Sequence, residues 1–472
     1  MEEQNNNQSM TKKTLIYLAG NFSSKIFALI IIPIYAEYLS ALELGQYDFQ
    51  LTIANLLTPV IGLAIWESIL RFGLKAEGKE LKRIFSTASI ISFGTLTVSF
   101  LILLILYNNL YGFNTQSFLY VLLIIMMPMV TILGYMARAI KANKQFAVSG
   151  VLSSFVNLTG ILIFVIIMDL GVTGLLISTV IGSIFNIGYL LIATEIFKYL
   201  SFDYYDKNLA SKLIKFSVPL IFNLTFGWFV NSFSRFYINV SLGSVSTGIY
   251  AFGSKFSGIL MQFAAIVNMT AIEDAILSSE SKDFVPRFER NIADITTLFF
   301  KICFILMPVI AIYYNFIDNA DFQSSLTIVP ILLLVAIFNN TSTLIGNVFP
   351  VYNKTSTAFL TSFIAGISNI VLSIVLGYFF ELIGICLAQL FSTLILVITR
   401  YILGNRIIKY KVNWLKITGN VLIFTFISLL LVNGNYIVQS LILVISLLNF
   451  LNYYRGWLKI QINKVFRNKN PK

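Results

Sequence analysis

The chain has 472 residues, of which 57% are hydrophobic and 11% are charged, and its formal net charge is +12. This composition excludes a soluble domain of useful size, so any function must lie within a membrane. The chain has no His, and its two cysteines, Cys303 and Cys386, both fall inside apolar runs. A disulfide framework and a cysteine or histidine metal site are therefore excluded.

The apolar runs are the main secondary-structure signal. Each is long enough for a helix that crosses a hydrocarbon core of roughly 30 Å, which takes about 20 residues. Fourteen such spans are predicted, so the chain is predicted to be an all-α membrane protein with 14 transmembrane helices. In chain order they cover 14–38, 47–70, 84–106, 117–138, 147–168, 172–194, 213–238, 247–272, 291–314, 326–349, 356–379, 382–404, 415–433 and 436–453.

The positive charges predict the orientation of these spans. All but four of the 33 Lys and Arg residues fall in the loops after even-numbered spans or in the two tails. Because short loops rich in Lys and Arg stay in the cytoplasm, both termini are predicted to be cytoplasmic. The net charge is thus an orientation signal and a match to anionic lipid, and it does not indicate nucleic-acid binding.

The chain also repeats itself. Gly45-Gln46-Tyr47 opens span 2 and Gly248-Ile249-Tyr250 opens span 8, while Asn143-Lys144 followed by Gly174 is matched by Asn353-Lys354 followed by Gly384. Since six spans separate the copies, the two halves have the same orientation, and transporters use such parallel repeats to build a substrate site between two lobes. The predicted lobes are 1–206 with spans 1 to 6 and 207–410 with spans 7 to 12. Residues 411–472 add spans 13 and 14 and a basic cytoplasmic tail.

Four cations lie inside predicted spans and away from their cytoplasmic ends: Lys25, Arg235, Lys255 and Lys301. Each costs about 2.5–3.5 kcal/mol at a helix centre unless it meets water or a partner. Carboxylates at membrane depth are too few to neutralise them, so the four are predicted to face an internal cavity and to bind an anionic substrate. Two alternatives stay open, because Arg235 is near enough to a span end to snorkel to an interface and Asp294 can satisfy Lys301 through water.

Uncharged polar residues at helical spacing extend the predicted cavity, and the candidates are Asn21, Asn231, Gln262 and Asn339. Such side chains contact sugar or form hydrogen bonds between helices, and the sequence leaves that choice open. Glu67 and Asp294 are the candidate sites for coupling to Na⁺ or H⁺, although Glu67 is also placed to pair with Arg71 one turn away. No metal site and no cofactor are predicted, and the coupling ion stays open.

Several short motifs run in order from about residue 12 to residue 416. They are Pro33-Ile34-Tyr35, Leu39 to Tyr47, Gly62-Leu63 with Arg71, Lys212 to Leu220, Arg235 with Leu242-Gly243 and Gly248-Ile249-Tyr250, Asn369 with Gly384, and Tyr401 to Trp414. In this order they resemble the polysaccharide (O-antigen repeat-unit) flippases of the multidrug/oligosaccharidyl-lipid/polysaccharide exporter (MOP) superfamily. A common family pattern has Asp immediately before the Arg of span 7, whereas this chain has Ser234. That departure leaves Arg235 without its usual neighbouring carboxylate, puts a conserved ion-pair role in doubt and is compatible with a role in binding an anion.

The resemblance implies a V-shaped, MATE-like pair of six-helix lobes that works by alternating access. It also implies an undecaprenyl-diphosphate-linked oligosaccharide as substrate, such as an O-antigen unit for lipopolysaccharide, carried to the outer leaflet of the bacterial inner membrane. Polymerase and chain-length regulator partners are implied in the same way. Lys and Arg side chains suit a diphosphate or an acidic sugar, while spans 13 and 14 serve either as a groove for the lipid tail or as packing supports.

Three other functions are weighed against this one. A multidrug or cation antiporter of the same fold would concentrate carboxylates in a lobe, but the predicted cavity is positive. A membrane-embedded O-antigen polymerase or glycosyltransferase is expected to have a sizeable outer loop with Arg or paired acids, but every predicted outer loop is short and lacks Lys and Arg. A purely structural subunit has little reason to bury four cations.

Overall fold

A computed structural model describes residue 27 and residues 30–279 and 281–468 of the chain. Within these ranges all regular elements are helices, beginning with a helical segment at 30–38. The later α-helices, numbered in chain order, are α1 Ala41–Ile61, α2 Ile65–Gly73, α3 Gly78–Tyr111, α4 Thr115–Ala139, α5 Asn143–Ile161, α6 Gly171–Thr194, α7 Lys207–Ser278, α8 Phe284–Tyr314, α9 Ala320–Ser324, α10 Val329–Gly346, α11 Val348–Val351, α12 Thr355–Asn405, α13 Trp414–Asn433 and α14 Tyr436–Asn468. A short π-helical stretch at Leu162–Ile167 extends α5.

Most of these helices are long and apolar enough to cross a membrane. The described residues contain 11 such helices, or up to 12 if the bent pair α1 and α2 is one span. The protein is therefore an all-helical, multi-pass membrane protein, as the apolar runs predict. In α10 the apolar stretch is 72% buried within the protein, whereas in α3 and α14 it is 11% buried, so α10 is packed on most sides by other helices and the other two are not.

Helix α1 begins earlier than the sequence reading places it. Ser40 caps the helix by accepting a hydrogen bond from the backbone N–H of Glu43, and the Glu43 carboxylate accepts one from the backbone N–H of Ser40. This capping box starts the helix at Ala41 rather than at residue 47. A bend of 55° separates α1 from α2, because Leu63 and Ala64 both have positive φ angles and interrupt the helical hydrogen bonds there.

Two very long helices are each broken by one residue. In α7 the break is Gly243, with φ 84° and ψ 178°, and in α12 it is Glu381, with φ 48° and ψ −130°. We call the two arms of α7 α7a (207–242) and α7b (244–278), and the two arms of α12 α12a (355–380) and α12b (382–405). The breaks fall in the predicted connections between spans 7 and 8 and between spans 11 and 12.

The glycines of the internal repeat make matched close contacts. A Cβ atom added to Gly45 would lie 1.7 Å from the carbonyl oxygen of Ser244, and one added to Gly248 would lie 1.8 Å from that of Ala41. Since Ala41 and Ser244 stand four residues before the two glycines, the start of α1 and the start of α7b cross in a reciprocal contact. Any side chain at either glycine would force the two helices apart.

The described chain separates into two compact units. Unit 1 comprises Met1–Phe252 and Ala365–Ile385, and unit 2 comprises Gly253–Ile364 and Cys386–Lys472. A buried cluster in unit 1 joins α2, α3 and α4 around Phe85 and Met136, and unit 2 buries large side chains such as Phe299 and Phe349. The lobe boundaries at 206 and 410 stay a prediction.

Candidate functional site

Arg235 forms an ion pair inside unit 1. Its Nη1 atom lies 3.2 Å from Oδ1 of Asp48, and the Asp48 side chain is 4% exposed while that of Arg235 is 35% exposed. The guanidinium also lies over the ring of Tyr250, 5.6 Å from its centroid. The second oxygen of Asp48, Oδ2, is buried and accepts no hydrogen bond from any residue that the structure describes.

The carboxylate that pairs with Arg235 comes from a different helix than the family pattern suggests. Ser234 occupies the position of the family Asp, and it instead exchanges hydrogen bonds at 3.2 to 3.3 Å with the side chain of Asn369 on α12a. Asp48 on α1 supplies the negative charge. The prediction that Arg235 lacks a neighbouring carboxylate is therefore correct for its own helix, but the inference that it has no protein counter-ion is wrong.

Helix α7a is fixed against α1 on both sides of this pair. The indole N–H of Trp228 donates a 3.0 Å hydrogen bond to the carbonyl oxygen of Thr52, and Phe236 stacks on Phe49 with ring centroids 6.0 Å apart. These contacts set the distance between the two helices. The Arg235 guanidinium on one helix and the buried Asp48 carboxylate on the other are held within ion-pair distance as a result.

Asn231 and Arg235 belong to a row of polar residues spaced four apart along α7a, and this polar stripe continues beyond Arg235. Asn239 lies one helical turn further along, about 6 Å on, and its amide donates 3.2 Å hydrogen bonds to the hydroxyls of Ser244 and Thr247. Asn239 is not among the predicted cavity residues, although the spacing of four residues from Asn231 to Arg235 extends to it. The stripe thus reaches the break at Gly243, where α7a meets α7b.

The remaining residues of the predicted cavity are distributed over both units or lie outside the described residues. Lys25 and Asn21 are among those outside, and so is the side chain of Asn231. In unit 2, Lys255 and Gln262 are half-buried on α7b, and Oε1 of Gln262 is buried with no hydrogen-bond partner within the described ranges. Asn339 is half-buried on α10.

Lys301 is directed at a helix outside the repeat. Its ammonium group donates a hydrogen bond to Oδ1 of Asn449 on α14 and lies 5.2 Å from the centroid of the Tyr453 ring. Asp294, which was expected to satisfy Lys301 through water, is exposed. The long lysine side chain instead meets an amide and an aromatic face, which connects α8 to α14 within unit 2.

Glu67 has neutral hydrogen-bond donors. Its Oε1 accepts hydrogen bonds from the indole N–H of Trp66 at 3.2 Å and from the hydroxyl of Tyr135 at 3.3 Å. Arg71 lies over the Phe216 ring, 4.9 Å from its centroid, in place of the predicted pairing with Glu67. Among the described residues, no group of three or more His, Cys, Asp or Glu side chains is arranged to hold a metal ion.

A further intramembrane cation was assigned to a loop at the sequence level. Arg400 lies in α12b, and its guanidinium donates hydrogen bonds to the carbonyl oxygen of Ser342 at 3.0 Å and to the hydroxyls of Ser362 at 3.3 Å and Thr361 at 3.4 Å. Because Ser342 lies in the last turn and a half of α10, the positive charge meets the negative end of that helix. The predicted span 382–404 contains Arg400, so the sequence alone already places this residue within the membrane.

The overall fold is that of membrane transporters of the MOP superfamily. The structure of the "Lipid II flippase MurJ, inward closed conformation" matches with a TM-score of 0.68 and 18% identity, covering 94% of this chain and 100% of that one. An inward-facing multidrug resistance MATE family transporter matches with a TM-score of 0.64 and 11% identity over 83% of this chain and 97% of its own. An outward-facing MATE family transporter has a TM-score of 0.56 and 10% identity over 84% and 94%.

The sequence itself gives the family. The model of the family described as "Polysaccharide biosynthesis protein" matches residues 10–272, more than half of the chain. The chain belongs to this polysaccharide biosynthesis protein family, as the order of its motifs indicates. No curated protein matches the sequence. The family places the chain in polysaccharide biosynthesis, and its fold is one that the matched flippase and MATE structures share.

Proposed function

We propose that the protein is a flippase that moves an oligosaccharide repeat unit, linked to undecaprenyl diphosphate, from the cytoplasmic to the outer leaflet of a bacterial inner membrane. Membership of the polysaccharide biosynthesis family and the fold shared with a lipid II flippase support this substrate class. The observation that carries the proposal is the Arg235–Asp48 pair, in which a guanidinium that is 35% exposed meets a buried carboxylate, and the proposal is that a substrate anion can replace this carboxylate. O-antigen units and related surface polysaccharides are the proposed cargo.

The proposed architecture has fourteen spans in two six-helix lobes, with spans 13 and 14 added and both termini in the cytoplasm. The positive-inside distribution of Lys and Arg supports this orientation. The breaks at Gly243 and Glu381 support the count, because each divides one continuous helix into two arms of spanning length.

The proposed mechanism is alternating access with Asp48 and Arg235 as an exchangeable pair. In this orientation the reciprocal contact of Gly45 and Gly248 lies at the outer ends of their helices and closes that side. When the diphosphate enters, Arg235 turns from Asp48 to the phosphate oxygens, which it binds well through its planar fork of donors. Separation of α1 from α7b then opens the outer side, and Asp48 regains Arg235 as the diphosphate leaves.

The membrane potential favours this direction of transport. When a headgroup with two negative charges moves outward, away from the negative interior, the membrane potential contributes about 4–5 kcal/mol of favourable free energy per 100 mV. Lys25 and Lys255 are proposed to support the same anion along its path, whereas the contacts of Lys301 with Asn449 and Tyr453 favour a packing role for that lysine. Glu67 and Asp294 are proposed as coupling sites only if export depends on Na⁺ or on pH.

A cation antiporter of the same fold is the second candidate, and Asp48 favours it. A buried carboxylate with one oxygen free of hydrogen bonds from the described residues is a site for a cationic ligand. Arg235 opposes this reading, because its guanidinium occupies the place where a cation would bind.

The test uses cells in which this gene is the sole source of repeat-unit export. Arg235→Ala, Lys255→Ala and Lys25→Ala are compared at equal protein level with Lys411→Ala, whose side chain is exposed in a loop. We expect loss of surface polysaccharide and accumulation of the lipid-linked unit in the first three variants only. Normal export in all three would refute the anion-binding role, and drug resistance lost through Asp48→Asn, with export unchanged, would establish the antiporter.

A further inference from the structure

Unit 1 contains a polar cavity beside the Arg235–Asp48 pair that the transport mechanism above does not use. Its volume is about 210 Å³. It is lined by one face of α1, by the junction of α3 and α4 and by the end of α7a, including Gln46, Gln50, Tyr111, Gln116 and Asn239. At roughly 30 Å³ per water molecule the space holds about seven waters, which corresponds in size to one hexose ring.

The lining is polar but carries no charge among the residues that the structure describes. Amide side chains from α1, α4 and α7a face the cavity together with the rings of Tyr111, Tyr120 and Phe49. Amides offer a donor and an acceptor side by side, which matches the adjacent hydroxyls of a pyranose, and aromatic faces pack against its C–H faces. A phosphate would find no cation here, and an aliphatic chain would leave the amides unsatisfied.

The walls are held in place before any ligand enters. The Tyr107 hydroxyl donates a 2.6 Å hydrogen bond to Oε1 of Gln50, and Nε2 of Gln116 donates one of 2.7 Å to the Tyr120 hydroxyl. The rings of Tyr107, Tyr111 and Tyr120 contact one another with centroids 5.6 to 6.3 Å apart. A rigid lining of this kind binds a ligand without a large ordering cost.

The position of the cavity relates it to the anion site. Asn239 lies one turn, about 6 Å, beyond Arg235 on the same face of α7a, and Gln46 and Gln50 flank Asp48 on α1. In the proposed orientation the cavity is at the outer end of unit 1. A diphosphate at Arg235 therefore places the first sugars that follow it within reach of this cavity.

We propose that this cavity is a binding subsite for one uncharged monosaccharide of the lipid-linked oligosaccharide, occupied on the outer side of the membrane before release. The inference rests on the proposed flippase function and names the part of the substrate that the cavity recognises. Selection for a neutral ring at this point would restrict which repeat units pass.

The test uses the full-length protein in nanodiscs. The probe is the oligosaccharide released by mild acid from the lipid-linked unit of the same cells, and saturation-transfer NMR reports which sugar protons contact the protein. Gln46→Leu and Tyr111→Ala are the test variants, with Tyr378→Ala as control, since the Tyr378 ring is 82% exposed and lies away from the cavity. We expect each test variant to weaken oligosaccharide binding about 2- to 10-fold, while the control and the binding of undecaprenyl diphosphate stay unchanged.

The outcomes separate the two proposals. Wild-type affinity for the oligosaccharide in both test variants would overturn the subsite, and so would a wild-type protein that binds the lipid-linked unit but not the free oligosaccharide. Either result leaves the flippase function in place. A wild-type protein that binds neither the lipid-linked unit nor undecaprenyl diphosphate would overturn the flippase function and the subsite together.

Discussion

Neutralising Asp48 should lower the free energy of unfolding of the protein and at the same time raise its affinity for a diphosphate. At the observed 3.2 Å separation, and with an effective dielectric constant of about 20, the attraction between the two charges is about 5 kcal/mol. The desolvation of the buried Asp48 carboxylate offsets most of this. A net coupling free energy of about 1–3 kcal/mol between Asp48 and Arg235 is therefore expected.

A double-mutant cycle measures this coupling. Asp48→Asn, Arg235→Gln and the double variant are unfolded by SDS titration in mixed micelles, and the free energies of unfolding are compared with that of the wild type. In the binding arm, undecaprenyl diphosphate no longer has to displace Asp48 in the Asp48→Asn variant. Since 1.4 kcal/mol is a factor of ten, that variant should bind the diphosphate at least about tenfold more tightly.

An exposed ion pair of the same unit provides the matched control. Arg83 and Asp206 are paired with side-chain exposures of 54% and 20%, so solvent screening should make their coupling much smaller than that of Asp48 and Arg235, with no change in diphosphate affinity. Additive effects of Asp48→Asn and Arg235→Gln on stability would show that the pair is not coupled. Unchanged diphosphate affinity in Asp48→Asn would refute the exchange of Asp48 for the substrate anion.

Three further changes have defined outcomes. Gly45→Ala places a methyl group against the Ser244 carbonyl, so it should slow export and raise the labelling, by an impermeant maleimide, of a cysteine introduced near the outer end of α1. Gly150→Ala, with open space at its Cβ position, should change neither export nor labelling. Equal labelling in both variants would contradict the closed contact. Lys301→Met should keep export but lower the melting temperature, since it removes the contact with Asn449, and a collapse of export would instead indicate substrate contact. The backbone N–H of Leu209 lowers the pKa of Asp206. A depressed folded-state pKa contributes stability above the unfolded-state value of about 3.9, and this stability is lost as the pH falls further. The melting-temperature difference between wild type and Asp206→Asn should therefore shrink below pH 4, and a constant difference would refute this assignment.

The helical framework was predictable because membrane spans are encoded locally. An apolar run of sufficient length and a charge at its end decide each span without reference to distant residues. The breaks at Gly243 and Glu381 fall in predicted connections for the same reason. Unit 1 nevertheless includes Ala365–Ile385, a long-range packing choice that no local pattern specifies.

The main error in the site came from one helix start. A span that begins at residue 47 places Asp48 at its outer end, and only Glu67 and Asp294 are weighed against the cations on that basis. The Ser-x-x-Glu capping box at Ser40 and Glu43 was readable, and it moves the start to Ala41. Asp48 then lies about two turns inside the helix, and its need for a counter-ion follows. Its choice of Arg235, far away in sequence, depends on how α1 packs against α7a and is not encoded locally.

The Asp48 carboxylate changes the argument for anion binding. An unpaired buried cation would hold a diphosphate strongly, and strong binding would trap the headgroup at the site. Transport instead needs a site that binds firmly enough to load and weakly enough to release, a balance known from ion pathways. If Asp48 competes for Arg235, the free energy gained on binding the diphosphate is reduced by the cost of breaking the pair, and re-forming the pair assists release. On this view Asp48 on α1 sets how readily Arg235 takes up and gives back the diphosphate.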